Sequence, residues 1–170
     1  MDRNELLDSG EMGISWDDLG KLCIDLAQKI HNEFDPDIVV GIVKAGVLPG
    51  VIISSLLNKD FYTIKLSRKV KNRIVHARPI LFVPITESVY NKKVLLIDEF
   101  AVSGETIKMA EEEIISKQAS QVKTATLFAN KEGYRPDWFV VDTAKKIVNP
   151  WDKYILDRKG ELQMNPELEM

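Results

Sequence analysis

Cysteine is almost missing from this 170-residue chain: Cys23 stands alone, which excludes an internal disulfide and any cysteine-rich zinc site. Histidine is nearly as scarce. His31 and His76 lie far apart in the chain, so a histidine-based metal site is not expected. No apolar run approaches the roughly 18 residues of a membrane span. The first 20 residues carry Asp2, Glu5, Asp8 and Glu11 instead of the basic region and apolar stretch of a secretory signal. A cytoplasmic protein with no membrane partner is the expectation. A basic excess is lacking too: the net charge of −3 is unlike that of a general nucleic-acid binder. Repeats, low-complexity tracts and Pro/Ser/Gly-rich linkers are absent, so 1–170 is expected to form a single domain, with 1–13 and 158–170 loose. The pattern Gly-x-x-x-x-Gly-Lys-Ser/Thr does not occur, which disfavours a P-loop nucleotidase.

What is present alternates between helix and strand. Ser15 and Asp18 form a capping-box pattern, after which Trp16, Leu19, Leu22, Cys23, Leu26, Ala27, Ile30 and Phe34 recur at helical spacing. Asp35-Pro36 ends that helix, and Cys23 on its apolar stripe reads as core. Ile38–Val43 is a β-branched strand, Pro49–Leu57 a short helix, and 62–66, 94–97 and 122–129 are further strands. Ile107, Ala110, Ile114 and Ile115 mark a helix between the last two. Shorter strands are expected at 138–141 and 147–148. Strands alternating with helices predict an α/β fold: a mostly parallel twisted sheet flanked by helices.

In such sheets ligands bind beyond the carboxyl ends of the strands. The strand at 94–97 leads into Asp98-Glu99-Phe100-Ala101-Val102-Ser103-Gly104-Glu105-Thr106. Adjacent acids can accept hydrogen bonds from sugar hydroxyls or hold a divalent cation. The stretch that follows offers backbone N–H groups, two hydroxyls and a helix N-terminus, which favour a phosphate. Together they suggest a ribose 5-phosphate. Ordinary capping of a strand end is the competing account. The strand 38–43 ends in Lys44-Ala45-Gly46, a cation beside accessible amides. No Asp or Glu occurs between Asp60 and Glu87, whereas Lys65, Arg68, Lys69, Lys71, Arg73, His76 and Arg78 crowd the interval. That positive stretch reads as a mobile cover for an anionic ligand, a solvated hairpin or an oligomer contact.

These segments together resemble the type I phosphoribosyltransferases, particularly the xanthine/guanine/hypoxanthine (6-oxopurine) branch, from Ser15-Trp16-Asp17 to about Tyr154. Val94–Thr106 looks like the phosphoribosyl-pyrophosphate (PRPP) signature, Lys44-Ala45-Gly46 like the pyrophosphate loop, and the basic stretch, with Arg68 and Lys69, like the catalytic loop. Residues 134–157, containing Arg135-Pro136-Asp137-Trp138-Phe139 and Ile147-Val148-Asn149-Pro150-Trp151-Asp152, resemble the small hood over the purine. The resemblance implies a Rossmann-type core and Mg²⁺-dependent transfer of 5-phosphoribosyl from PRPP to a purine base, with release of pyrophosphate, in purine salvage. It implies that Asp98 and Glu99 hold the ribose hydroxyls directly or through the metal. Ala101, Val102, Ser103, Gly104, Glu105 and Thr106 would cradle the 5-phosphate. Lys44, Ala45 and Gly46 would take the pyrophosphate, and Asp152 would assist at the metal. Lys146 and Ile147 would meet the base, Trp151 would pack within the hood, and the assembly would be a homodimer or homotetramer.

The chain departs from that pattern on the base side. Val102 occupies the place of an aspartate that faces the purine N7, and valine cannot move a proton. Lys146 stands where an aromatic usually stacks. The lysine that reads the purine O6 aligns with Asn130; Lys131, one residue on, takes that role only if the strand shifts register. Two readings follow: a transferase with altered base choice, and a regulatory module that binds PRPP or a nucleotide without turnover.

Overall fold

A computed structural model describes residues 10–70 and 73–168. They divide into two compact units, one of residues 22–143 and a smaller one of 10–21 with 144–168.

The larger unit is built on a six-stranded sheet. Its strands are β2 (Ile38–Val43), β3 (Asp60–Ser67), β6 (Ile80–Val83), β7 (Lys93–Ala101), β8 (Gln121–Ala129) and β9 (Trp138–Asp142), in the spatial order β6-β3-β2-β7-β8-β9. All pairs are parallel except β3 with β6. Helix α2 (Val47–Leu57) connects β2 to β3, and α3 (Glu105–Ser116) connects β7 to β8. Between β3 and β6, β4 (Lys69–Val70) and β5 (Arg73–Ile74) pair antiparallel. Within the basic interval, Lys71 lies outside the described residues.

The α/β alternation has a direct packing cause. Val40, Ile42, Ile64, Val94 and Leu96 form one buried cluster with Ile107, Ala110 and Ile114 of α3. Strand residues two apart share a face, and the helical positions three and four apart meet them. Helix α1 (Trp16–Glu33) opens on the anticipated box: Asp18 N–H donates to Ser15 Oγ at 3.1 Å, and Ser15 N–H to the Asp18 carboxylate at 3.3 Å. Leu19, Leu22, Cys23, Leu26, Ala27 and Ile30 are buried along its stripe. Burial pushes the Cys23 thiol up to about 12, which makes it inert packing. Near the end of α1, Phe34 stacks on Trp138 at 5.8 Å and Glu33 accepts the Trp138 indole N–H at 3.1 Å.

In the smaller unit, β1 (Glu11–Gly13) pairs parallel with β10 (Lys146–Val148), and β11 (Tyr154–Leu156) pairs antiparallel with β12 (Leu162–Met164). Trp16 and Trp151 lie 6.2 Å apart there, consistent with packing.

Three segments are placed differently from the loose ends and hood expected of the chain. Residues 11–13, expected to be loose, are a strand, because Met12 and Gly13 register on Ile147 and Val148; residues 1–9 lie outside the described residues. Part of 158–170, also expected to be loose, is a hairpin strand. The Asp157 carboxylate organises its turn by accepting the N–H groups of Lys159 and Glu161 at 2.8 and 2.9 Å. Trp138–Asp142, assigned to the hood, is the edge strand of the main sheet, paired with β8.

Leu96 is 1% exposed and pairs with Val40 at the centre of the sheet. Leu96→Ala is expected to lower unfolding free energy by about 2–5 kcal/mol in urea titrations; a loss below about 1 kcal/mol would contradict this placement of the core.

Candidate active site

Chain direction in the sheet diverges at β2, with β3 on one side and β7 on the other. Parallel sheets bind ligands outside the strand ends at such a switch point. The two loops singled out in the sequence lie at these ends: Lys44-Ala45-Gly46 follows β2, and Val102-Ser103-Gly104 follows β7.

Gly46 is what lets them meet. A Cβ on this residue would stand 2.5 Å from the carbonyl oxygen of Ile97 and 2.9 Å from Cα of Asp98, so only hydrogen fits there. Its φ of −71° is open to any residue, and close approach, not backbone freedom, therefore requires the glycine. The Val43–Lys44 peptide is cis. Lys44 is exposed. The expectation that both the Ala45 and Gly46 amides serve a ligand needs correction, since Gly46 N–H already donates to Ile42 O at 2.9 Å. Among the described residues the amides of Lys44 and Ala45 meet no acceptor.

The turn after β7 has a lopsided hydrogen-bond account. Three of its carbonyls are engaged: Ala101 O accepts from Asn130 N–H at 2.9 Å, Val102 O from Tyr134 N–H at 3.0 Å, and Gly104 O from Lys108 N–H at 2.9 Å. Its donors are not. Among the described residues the N–H groups of Val102, Ser103, Gly104 and Thr106 meet no acceptor, and Glu105 N–H has only Ser103 Oγ at 3.4 Å. Gly104, at φ 76°, caps α3 in the left-handed region, where a glycine carries no Cβ penalty. Such a run of donors at the start of a twelve-residue helix is shaped for an anion.

Asp98 and Glu99 lie within β7, which continues to Ala101 in register with Ala129, beyond the strand end at Ile97 that the sequence suggested. Adjacent strand residues project to opposite faces. Asp98 is partly accessible, but the protein packed around its carboxyl raises its pKa to about 7. The Glu99 N–H, donating at 2.8 Å, opposes that rise, and the Glu99 charge adds to it. Among the described residues no three His, Cys, Asp or Glu side chains form a metal cluster. Hard oxygen donors in so small a number fit Mg²⁺, which takes one or two carboxylates and completes its shell with water and substrate phosphates.

Arg68 reaches the same region: its Nη1 lies 3.9 Å from the Glu105 carboxylate, and its Nε donates to His76 O at 3.4 Å. Lys69 lies in β4. Lys131 is exposed in the turn between Asn130 and Gly133, closed by Gly133 N–H to Asn130 O at 3.0 Å. The smaller unit holds Lys146, paired with Glu11 at 2.7 Å, Ile147, opposite Met12, and Asp152, whose carbonyl accepts from the Asn165 amide at 2.8 Å. Sequence reasoning missed Tyr134. Its only signal was a Gly-Tyr pair in the turn a few residues after β8, and its N–H donates to Val102 O at 3.0 Å. A groove of about 490 Å³ lined by Ile24, Ala27, His31, Leu56 and Leu57 contains none of these residues.

The Asp98 shift has a sign that stability can report. Unfolded, the carboxyl ionises near its ordinary value; folded, it keeps its proton to about pH 7. Between those values the folded state binds more protons, so stability falls as pH rises through the window and levels off above it. Without Mg²⁺ or ligand, the urea midpoint of Asp98→Asn should gain on that of the unsubstituted protein between about pH 5 and about pH 8. Parallel pH profiles for the two would contradict the desolvation of Asp98.

Residues 15–157 match the model of the phosphoribosyl transferase domain. The hypoxanthine-guanine phosphoribosyltransferase of Schizosaccharomyces pombe is 26% identical over 173 positions, covering 89% of this chain and 82% of the relative. Among solved structures, the purine phosphoribosyltransferase of Pyrococcus horikoshii superposes with a TM-score of 0.76 at 24% identity, covering 88% of this chain and 98% of the other. A hypothetical protein from Neisseria gonorrhoeae with bound ppGpp superposes with a TM-score of 0.72 at 21% identity, over 88% and 92%. By the family match across most of its length, the chain belongs to the phosphoribosyl transferases, which are pentosyltransferases.

Proposed function

We infer that the protein transfers a 5-phosphoribosyl group from PRPP to a purine base, with 6-oxopurines favoured, and releases pyrophosphate. The observation that carries this reading is the donor-rich turn Val102–Thr106 beside Asp98 at the sheet's switch point. In this reading the amides from Val102 to Thr106, with the Ser103 and Thr106 hydroxyls, bind the 5-phosphate. Asp98 accepts from the ribose hydroxyls, and the assignment of Glu99 beside it rests on the resemblance alone. Lys44, with its own amide and that of Ala45, receives the pyrophosphate, and Arg68 and Lys69 cover it. Asp98 and Glu99 are also the residues assigned to Mg²⁺, which when bound neutralises charge on the pyrophosphate. The assignments of Lys131, Lys146 and Ile147 to the base, and of Asp152 to the metal, rest on the resemblance alone.

The physical logic is charge separation. As the bond from ribose C1 to pyrophosphate breaks, positive charge grows on the ring and negative charge on the leaving group. Amides and cations already fixed in place stabilise that separation without reorganising. A Mg²⁺ ion would also lower the pKa of Asp98 by favouring its ionised form.

A second reading, binding of PRPP or a nucleotide without turnover, draws on one feature. Val102 is 52% exposed on the phosphate turn and brings no titratable group to a purine. The ppGpp held by the Neisseria gonorrhoeae protein is the kind of nucleotide such a module would take.

Pyrophosphate release from PRPP and Mg²⁺ decides between them, with xanthine, guanine, hypoxanthine, adenine, uracil and orotate supplied separately. Release with at least one 6-oxopurine is expected. Saturable PRPP binding with no release for any base would replace the transferase by the binding module.

A further inference from the structure

Tyr134 closes over the back of the phosphate turn. Its N–H donates to Val102 O at 3.0 Å. Its Cβ, Cγ and Cδ2 fill the space that a side chain at Gly104 would need: a Cβ there would fall 2.7 Å from Cδ2 and nearer still to the other two. The same shape recurs one residue earlier, where a Cβ on Gly133 would overlap Val102 O. Two glycines and one ring therefore interlock across loops that leave different strands.

The ring is itself anchored. Its hydroxyl lies 3.4 Å from Thr124 Oγ1, which donates to Asp137 at 3.1 Å. Asp137 also accepts the Thr124 N–H at 2.8 Å and Lys123 Nζ at 2.6 Å. On the side of α3, Lys108 Nζ stands 5.4 Å from the ring centroid, within range of a cation–π attraction.

A glycine in the left-handed region is the most mobile link a phosphate turn can have, and ordering it when ligand arrives subtracts from affinity. A ring pressed against that glycine, with an N–H tying down the carbonyl two residues before it, orders the turn in advance. We propose that Tyr134 is a positioning residue, whose ring and N–H hold Val102–Gly104 in the shape that presents its amides to the 5-phosphate of PRPP. The proposal rests on the functional reading above and names a residue that the reading did not use. The 5-phosphate keeps its charge through the transfer, so the contact is equally strong in ground and transition states. Its loss raises the KM for PRPP and spares kcat.

The test is calorimetric titration of PRPP with Mg²⁺ into the full chain and its Tyr134→Phe, Tyr134→Leu and Tyr134→Ala variants. It is paired with steady-state kinetics and with amide hydrogen exchange at residues 102–106 without ligand. Tyr134→Phe keeps the ring and should bind PRPP within about twofold of the parent. The Leu and Ala variants should lose about tenfold or more in affinity, matched in KM for PRPP, with kcat held within about threefold. Their exchange at 102–106 should accelerate while β2 and β8 stay protected. Should Tyr134→Ala not fold, Tyr134→Leu decides. Parental affinity and unchanged exchange in the Leu variant would overturn the proposal, as would a Phe variant as weak as the Leu one. Failure of the parent to bind PRPP would instead remove the functional reading, and the exchange comparison would then decide the positioning role alone.

Discussion

A turn with most of its acceptors bound inward and its donors left over is the constraint on which the rest of this molecule depends. Ala101, Val102 and Gly104 give their carbonyls to Asn130, Tyr134 and Lys108, while among the described residues four N–H groups of the same stretch meet no acceptor. Folded proteins pair most of their backbone donors. A local surplus at a helix start is met by water or by an anion, and a phosphate meets several donors at once. The fold supplies the arrangement: β7 and β8 fix the two ends, and the Asn130–Tyr134 loop draws the carbonyls away.

A second constraint acts beside it. Gly46 brings the loop after β2 against Ile97 and Asp98, so the regions assigned to pyrophosphate and to ribose adjoin through backbone contact. Burial of the Asp98 carboxyl beside this contact raises its pKa to about 7. A desolvated carboxyl gains from a ligand that brings hydroxyl donors or a metal.

Much of this was legible in the sequence. Periodicity gave α1, α3 and the buried strands, because hydrophobic spacing is set by the same face that packs. Ser103-Gly104 and Lys44-Ala45-Gly46 could be placed because turn chemistry is local, whereas Asp98 and Glu99 lie inside β7, which runs on to Ala101. The capping box at Ser15 and Asp18 formed as its spacing predicted. What was not legible depended on partners distant in the chain. Strand β1 exists only because β10 pairs with it. Trp138–Asp142 joins the main sheet through β8. Tyr134 had no pattern to betray it, since its role comes from meeting Gly104 across two loops. On the base side, the replacement of an acid by Val102 was plain in the sequence, and the structure adds that this valine is exposed on the turn.

A crystal structure of the protein with PRPP and Mg²⁺ bears most directly on the central claim. The account predicts the 5-phosphate oxygens within hydrogen-bond distance of the Val102–Thr106 amides, with the ribose over Asp98. A fully occupied PRPP bound elsewhere, with those amides facing only water, would contradict it.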